Sequence, residues 1–170
     1  MTFEPAIRRA GPDDAAMLKP LLEGAYRGEH ARLGWTHEAD IVQGERIAEA
    51  ELSAMLRDPL VHMLLATDRA TGAAIGCVAI TERGGGLAYL GMLCIAPELQ
   101  SAGLGTMLLH AGEERAASSG AARIEMTVIE NRDTLIAWYL RKGYRQTGER
   151  RPFPVPQTPP LFFIVLEKAL

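Results

Sequence analysis

The sequence predicts an α/β (α+β) fold of about seven strands and about four helices. Three observations carry that reading. Residues 61–96 hold three apolar runs, "VHMLLATD", "AAIGCVAITE" and "LAYLGMLCIA", separated by the glycine-bearing turns "RATG" and "RGGG", which is the pattern of an antiparallel meander. Ahead of the meander, two stretches repeat apolar residues at helical spacing. Behind it, helical and strand-like stretches alternate. A chain of 170 residues is about one domain long, and domains of this size bury roughly 70% of the unfolded surface. With no internal repeat and no linker, residues 5–170 read as a single domain.

Each element has its own signal. "AIRRA" (6–10) is a short strand, and "GPDD" after it supplies a proline and two acids suited to a helix start. Met17, Leu18, Leu21, Leu22 and Ala25 then recur at helical spacing, with Pro20 inside the pattern implying a kink or a late start. The loop "YRGEHARLGWTHEADIVQG" (26–44) follows. Ala48, Leu52, Met55 and Leu56 mark a second helix, which Pro59 ends. After the meander comes a helix with Leu104, Met107, Leu108 and Ala111 on one face and Gly120 as its stop. "ARIEMTVIE" (122–130) alternates as a strand, "RDTLIAWYLRK" (132–142) is helical, and "GYRQTGERR" and "PLFFIVLEKAL" are the final strands. Between those two, "RPFPVPQTPP" carries five prolines, which exclude regular hydrogen-bonded structure.

Composition removes several classes of function. Apolar residues make up 48% of the chain and charged residues 23%, with both signs interleaved and a net charge of −3, so no basic field exists to hold nucleic acid. No stretch approaches the ~20 apolar residues of a membrane-spanning helix. The start "MTFEPAIRRAGPDD" has no apolar run behind a basic one, so no signal peptide is read and a cytoplasmic location is expected. Cys77 and Cys94 each sit in an apolar strand-like run, in no metal-ligand spacing; they are expected to be buried free thiols, and no metal site is expected.

One stretch raises a chemical question. In "PELQSAGLGTMLLHAGEERA" (97–116), Gly103 and Gly105 open a helix although each costs it about 1 kcal/mol relative to alanine. A strand, a turn of small residues and a helix start leave several backbone N–H groups pointing outward at the positive end of the helix dipole, which is an anion site. Glycines there allow unusual φ angles and close approach of a phosphate. A tight strand-to-helix turn explains the same residues with no ligand. The dinucleotide fingerprint G-x-G-x-x-G fails after Gly105, and no Lys-Ser/Thr pair makes a nucleotide-triphosphate loop.

The string Gln100-Ser101-Ala102-Gly103-Leu104-Gly105, behind the strand "LGMLCIAPE", resembles the Q/R-x-x-G-x-G/A motif of the GNAT superfamily of N-acetyltransferases. "AWYLRKGY" (137–144) is similar to that family's A-x-x-Y-x-x-x-G-F/Y region, with Tyr139 four residues before Gly143. The order of elements from about residue 5 to 168 resembles the family's layout as well. The resemblance implies a GNAT fold, a central mixed and mostly antiparallel sheet splayed in the middle. It also implies an acetyl-CoA-dependent transfer of acetyl to a primary amine of a small molecule or a peptide, by direct attack on the thioester. An acyl-CoA-binding sensor or partner module without turnover is the alternative. Many members dimerise, so a homodimer is the oligomer the resemblance implies.

The same resemblance assigns residues. The pyrophosphate would lie on Gln100, Ser101, Ala102, Gly103, Leu104, Gly105 and Thr106, and the pantetheine arm along the backbone of Leu93, Cys94 and Ile95. An N–H at that strand end, that of Ile95, would polarise the thioester carbonyl, and Cys94 has no covalent role. Tyr139 is the candidate acid for the departing thiolate: a phenol of pKa about 10 can protonate a thiolate whose thiol has a pKa near 8.5. A tyrosine beside Trp138 on an apolar helix is also ordinary core packing. Many members carry an Asn seven residues before that Tyr, whereas Asn131 lies eight before Tyr139; Asn131 is read as a cofactor contact or as a helix N-cap. The acceptor would sit under the loop segment "YRGEHARLGWTHEAD" (26–40) and the proline-rich loop "RPFPVPQTPP". There Tyr26, Glu29, Trp35 and Glu38 could receive a cationic amine or be solvated loop residues. The general base has no candidate.

Overall fold

The computed structural model describes residues 4–26, 47–100 and 102–170. In chain order the elements are β1 (Pro5–Arg9), α1 (Ala15–Tyr26), α2 (Glu49–Arg57), β2 (Val61–Asp68), β3 (Ala74–Gly84), β4 (Leu87–Ile95), α3 (Leu104–Ser118), β5 (Arg123–Ile129), α4 (Asp133–Arg141), β6 (Arg145–Pro152) and β7 (Phe162–Ala169). The strands form one seven-stranded sheet in the order β1-β2-β3-β4-β5-β7-β6. Every neighbouring pair is antiparallel except β4 and β5, which run parallel. This is the mixed, mostly antiparallel α/β architecture expected from the sequence.

The meander forms where the glycines allow it. Gly84, Gly85 and Gly86 turn the β3–β4 corner with φ of +78°, +61° and +76°, a run of left-handed residues that side chains with a Cβ would resist. Two layers of helix then cover the sheet. On one face α1 and α2 bury Leu18, Leu22 and Leu52 against Met63, Leu65, Cys77 and Cys94. On the other, α3 and α4 bury Leu104, Leu108, Leu109, Ile136 and Tyr139 against Val78, Ile80, Leu90, Ile124 and Leu166. Both cysteines are free and buried, as expected. No helix among the described residues is long and apolar enough to cross a membrane.

Local differences from the sequence reading have physical causes. Pro20 neither ends nor delays α1, which runs from Ala15 to Tyr26; the proline only removes the amide that the Ala16 carbonyl would accept. The helix is entered through a turn at Pro12–Asp14, where the Asp14 carboxylate accepts the Gly11 N–H at 2.8 Å and pairs with Arg8 at 2.7 Å. Met17 and Met107 are 38% and 46% exposed rather than on the apolar faces. α3 turns Gly112 to the sheet instead, so near that a Cβ would stand 3.0 Å from Ile80 Cδ1. The buried stripe is therefore Leu104, Leu108, Leu109, Gly112 and Ala116. β6 extends through Pro152. It is an edge strand, the place where a missing N–H is tolerated.

The departure from a regular sheet lies in its middle. β4 and β5 pair only from Leu87–Arg123 to Tyr89–Glu125, and beyond Tyr89 they separate. A bulge accompanies the separation. Cys77 pairs with Cys94 and Ala79 with Gly91, so Val78 alone faces Met92 and Leu93. Met92 takes a φ of +53°, uncommon for a residue with a side chain, and such a bulge bends its strand.

Candidate active site

The open end of β4, the start of α3 and the inner face of α4 meet at the splay. At Ala96 the amide donates to Ile75 O on β3 at 2.9 Å. Successive residues of a strand send their polar groups to opposite sides, so the Ile95 N–H and C=O face away from β3 and into the gap. The Ile95 carbonyl is taken by the Gln100 side chain, whose Nε2 donates to it at 3.2 Å. The Ile95 amide thus points to the gap with the turn tied back beside it. Cys77 donates its thiol to the Met92 carbonyl at 3.4 Å, satisfying a group that the bulge removes from the ladder.

The two glycines of the turn turn out to serve different ends. Gly103 is the N-cap of α3 with φ +87° and ψ −6°, and no side chain among the described residues caps the helix. Nothing lies within 4 Å of where its Cβ would be. Met107 donates to Gly103 O at 3.2 Å, whereas the amides of Leu104, Gly105 and Thr106, one turn earlier, have no acceptor among the described residues. Gly105 has no left-handed φ. A Cβ there would meet the Trp138 ring at 3.7 Å and Ile95 Cγ1 at 3.9 Å, an ordinary contact. The packing of α3 on α4 therefore does not demand a glycine at 105, and of the two glycines only Gly103 takes a left-handed backbone.

Trp138 in turn packs edge-on against Tyr139, centroids 5.0 Å apart, and Tyr139 against Tyr144 at 5.7 Å. Tyr139 is 6% exposed, and burial pushes its phenol well above the usual range, an effect that Arg132 opposes and Tyr89 reinforces. Tyr89 itself hydrogen-bonds Thr127 across the base of the splay, hydroxyl to hydroxyl at 2.7 Å. Behind Tyr139, the Tyr144 hydroxyl donates to Glu113 at 3.0 Å, and Lys168 donates to both oxygens of that carboxylate at 3.1 Å. Burial and the adjacent Glu113 charge push the Tyr144 phenol up as well.

Leu93, Cys94, Ile95, Gln100, Ala102, Gly103, Leu104, Gly105 and Thr106 are therefore gathered at one corner, with Tyr139 reached through Trp138. Among these, the Leu104 and Cys94 side chains belong to the core, so only their backbone is offered to a ligand. Asn131 is exposed, and the N-cap of α4 is its neighbour Arg132. Tyr26 ends α1; its side chain, with Ser101, Glu29, Trp35 and Glu38, lies outside the described residues. Tyr89, Thr127 and Arg132 are at the splay without having been singled out in the sequence. Nothing short of the β4–β5 geometry distinguishes them from ordinary strand and loop residues.

The fit of an acyl-CoA to this corner rests on the molecule itself. A strand edge that β5 leaves beyond Tyr89 suits the amides of a pantetheine arm, and a helix start with an open left-handed glycine suits a pyrophosphate.

Comparison with known proteins bears on family and fold. The sequence profile of the Acetyltransferase (GNAT) family matches residues 23–144. A comparison with curated proteins finds no match. Among solved structures, the acetyltransferase of the GNAT family from Streptococcus pneumoniae is 23% identical, with 98% of this chain and 100% of that one aligned at a TM-score of 0.73. The ribosomal-protein-S18-alanine N-acetyltransferase of Escherichia coli is 15% identical over 98% and 94%, at 0.75. The PaiA N-acetyltransferase of Thermoplasma acidophilum, solved in complex with coenzyme A, is 17% identical over 98% and 99%, at 0.74. At these identities the likeness is one of fold.

Proposed function

The chain belongs to the GNAT acetyltransferase family, whose profile spans residues 23–144, and from that premise we propose that it transfers acetyl from acetyl-CoA to a primary amine. The observation that carries this is the corner where the Ile95 amide faces the gap beside an uncapped helix start. A thioester laid along β4 would have its carbonyl polarised by that amide, and its phosphates would rest on the N–H groups of Leu104, Gly105 and Thr106. The amine nitrogen attacks the carbonyl carbon, the C–S bond breaks, and the electron pair leaves on sulfur. Tyr139 donates its proton to that sulfur. The proton lost from the amine passes to solvent, which reprotonates the phenol. Burial, opposed by Arg132, raises the phenol above its usual range, so it enters the reaction protonated, as an acid must, though as a weaker donor than a free phenol. The acceptor would be a small-molecule or peptide amine, held under the loop that joins β6 and β7.

The test begins with a screen of amines against acetyl-CoA, read as release of free thiol. With an accepted amine, Tyr139→Phe keeps the ring contacts with Trp138 and Tyr144 and removes only the acid. Turnover should fall by about 10²- to 10⁴-fold while acetyl-CoA affinity and thermal midpoint stay near those of the parent. Normal turnover with a lowered midpoint returns Tyr139 to the core. Tight acyl-CoA binding without turnover on any amine favours the sensor reading.

A further inference from the structure

Cys77 of β3 and Cys94 of β4 are the only cysteines of the chain, and the fold sets them against each other. They are direct partners in the register of the two strands. The Ala96 amide donates to Ile75 O at 2.9 Å, and Cys77 and Cys94 lie two residues inward from that pair on each strand. Alternation along the ladder makes them a hydrogen-bonded pair in turn, with Cα atoms about 5.5 Å apart, and a disulfide is commonest at about 5.5 to 6 Å. Both side chains pack on the face that α1 and α2 cover, with their sulfurs 3.4 Å apart. Closing that distance to a bond of about 2.0 Å asks for rotation of two side chains and no change of register. A buried thiol packs as a small apolar residue wherever it stands, so packing gives no reason for two of them to meet across the ladder.

The surroundings of the pair supply a use. The Cys77 thiol donates to the Met92 carbonyl at 3.4 Å, at the bulge where Met92 takes its left-handed φ. Ile95, whose amide faces the gap, is the residue after Cys94. A disulfide carries no S–H. Its formation would take the donor from the Met92 carbonyl and cut a tie that holds the bulge, on the strand along which an acyl-CoA would lie.

We propose that Cys77 and Cys94 form an oxidation site, closing to a cross-strand disulfide that alters the bulge of β4 and weakens the hold on acyl-CoA. The oxidant is a small-molecule disulfide. One cysteine thiolate attacks a sulfur of that disulfide and expels the first thiolate, leaving a mixed disulfide. The second cysteine thiolate then attacks the sulfur of the first cysteine and expels the other thiolate. Two protein thiols are oxidised, one small disulfide is reduced to two thiols, and the two cysteine protons end on the released thiols. Both cysteines are buried, so the exchange passes through local opening of β4, which β5 leaves beyond Tyr89. The effect on acyl-CoA rests on the acetyl-transfer reading above; the disulfide itself does not.

Equilibration with glutathione and glutathione disulfide is the test, because an equilibrium does not depend on how fast buried thiols are reached. After acid quenching and alkylation, intact mass reads the fraction of bridged chains, once in the native protein and once in denaturant. The bridge joins residues 17 apart in sequence. For a loop of that size, a bridge that fits the fold should have an equilibrium constant about 100-fold larger in the native protein than in the unfolded chain. Calorimetry with acetyl-CoA then compares the reduced and bridged forms, and the bridged form should bind about tenfold more weakly. Cys77→Ser keeps a hydroxyl donor for Met92 and cannot bridge, so the same oxidising treatment should leave its affinity unmoved.

A native equilibrium constant equal to or below that of the unfolded chain overturns the oxidation site, whatever the variant does. Equal affinity of the reduced and bridged forms overturns the effect on acyl-CoA, and so does an equal loss in oxidant-treated Cys77→Ser. Failure of the reduced parent to bind acetyl-CoA overturns the acetyl-transfer reading and that effect together. The glutathione equilibrium decides the bridge by itself.

Discussion

Alanine placed separately at Gly103 and at Gly105 should move the protein in opposite directions. At Gly103 the Cβ meets nothing within 4 Å, so the whole penalty is the left-handed backbone, φ +87°, about 1 to 2 kcal/mol. Gly105 is helical, and its Cβ would gain ordinary contacts with Trp138 and Ile95 at 3.7 and 3.9 Å. Gly105→Ala should stabilise by something up to about 1 kcal/mol through helix propensity. For a chain of this length each kcal/mol is worth about 2 to 4 °C, so two variants about 1 to 3 kcal/mol apart should differ in thermal midpoint by about 2 to 12 °C. Calorimetry with acetyl-CoA supplies the second axis. Gly103→Ala re-aims the amides at the start of α3 and should weaken binding about tenfold or more, and the branched Gly103→Val should weaken it further. Gly105→Ala directs its methyl toward Trp138 and should leave affinity unchanged. Equal midpoints for the two variants would falsify the left-handed assignment, and unchanged affinity in Gly103→Ala would place the phosphates elsewhere.

Three further outcomes are expected. Asp14 is lowered to about 2, first by its hydrogen bond with Arg8; a depressed carboxylate stabilises above its unfolded pKa and loses that stability as pH falls through the folded one. Allowing for the solvent exposure of Arg8, Asp14→Asn should cost about 1 to 2 kcal/mol at neutral pH. The deficit should shrink between about pH 4 and pH 2 in acid unfolding curves; a constant deficit would mean that the lost amide cap matters and the charge does not. Glu113→Gln removes the negative charge that faces Lys168 and turns one of the two acceptor oxygens into a donor, and should cost about 2 to 3 kcal/mol in denaturant unfolding, where a loss below a few tenths would show the carboxylate to be dispensable. Phe153→Ala removes the ring that packs on Phe163 at 5.1 Å from the loop between β6 and β7, and should raise the KM for the amine more than that for acetyl-CoA; equal changes would assign the loop to the cofactor side.

The order of strands and helices could be read before any coordinates because alternation and helical spacing are local signals. The corner around Gly103 could be read because backbone chemistry, an uncapped helix start behind a strand, needs a particular string of small residues. Other features leave no such mark. The outward turn of Met107 depends on how closely Gly112 approaches Ile80, and hydropathy does not register a glycine as a packing residue. The bulge is carried by Met92, although Gly91 beside it is the residue a sequence argument would choose for a positive φ. Its cause is tertiary, since the strand bends where β5 departs. Arg132 looked like any charged residue at the start of a helix, and only its burial separates it from Asn131.

Three rungs of backbone pairing, from Leu87–Arg123 to Tyr89–Glu125, extended by the Ala122 and Arg123 amides that donate to Gly86 O at 2.7 and 3.1 Å, make up the short ladder between the two sections of the sheet. One section holds β1 to β4, and the other holds β5, β7 and β6 with α4 riding on it. So short a ladder is a weak seam, and the sections should open as separate cooperative units in native-state hydrogen exchange. Gly103 and the Ile95 amide belong to the first section, while Tyr139 and Arg132 belong to the second. Any molecule lying between them bridges the seam, and its binding should slow exchange in β4 and β5 together although neither strand need move.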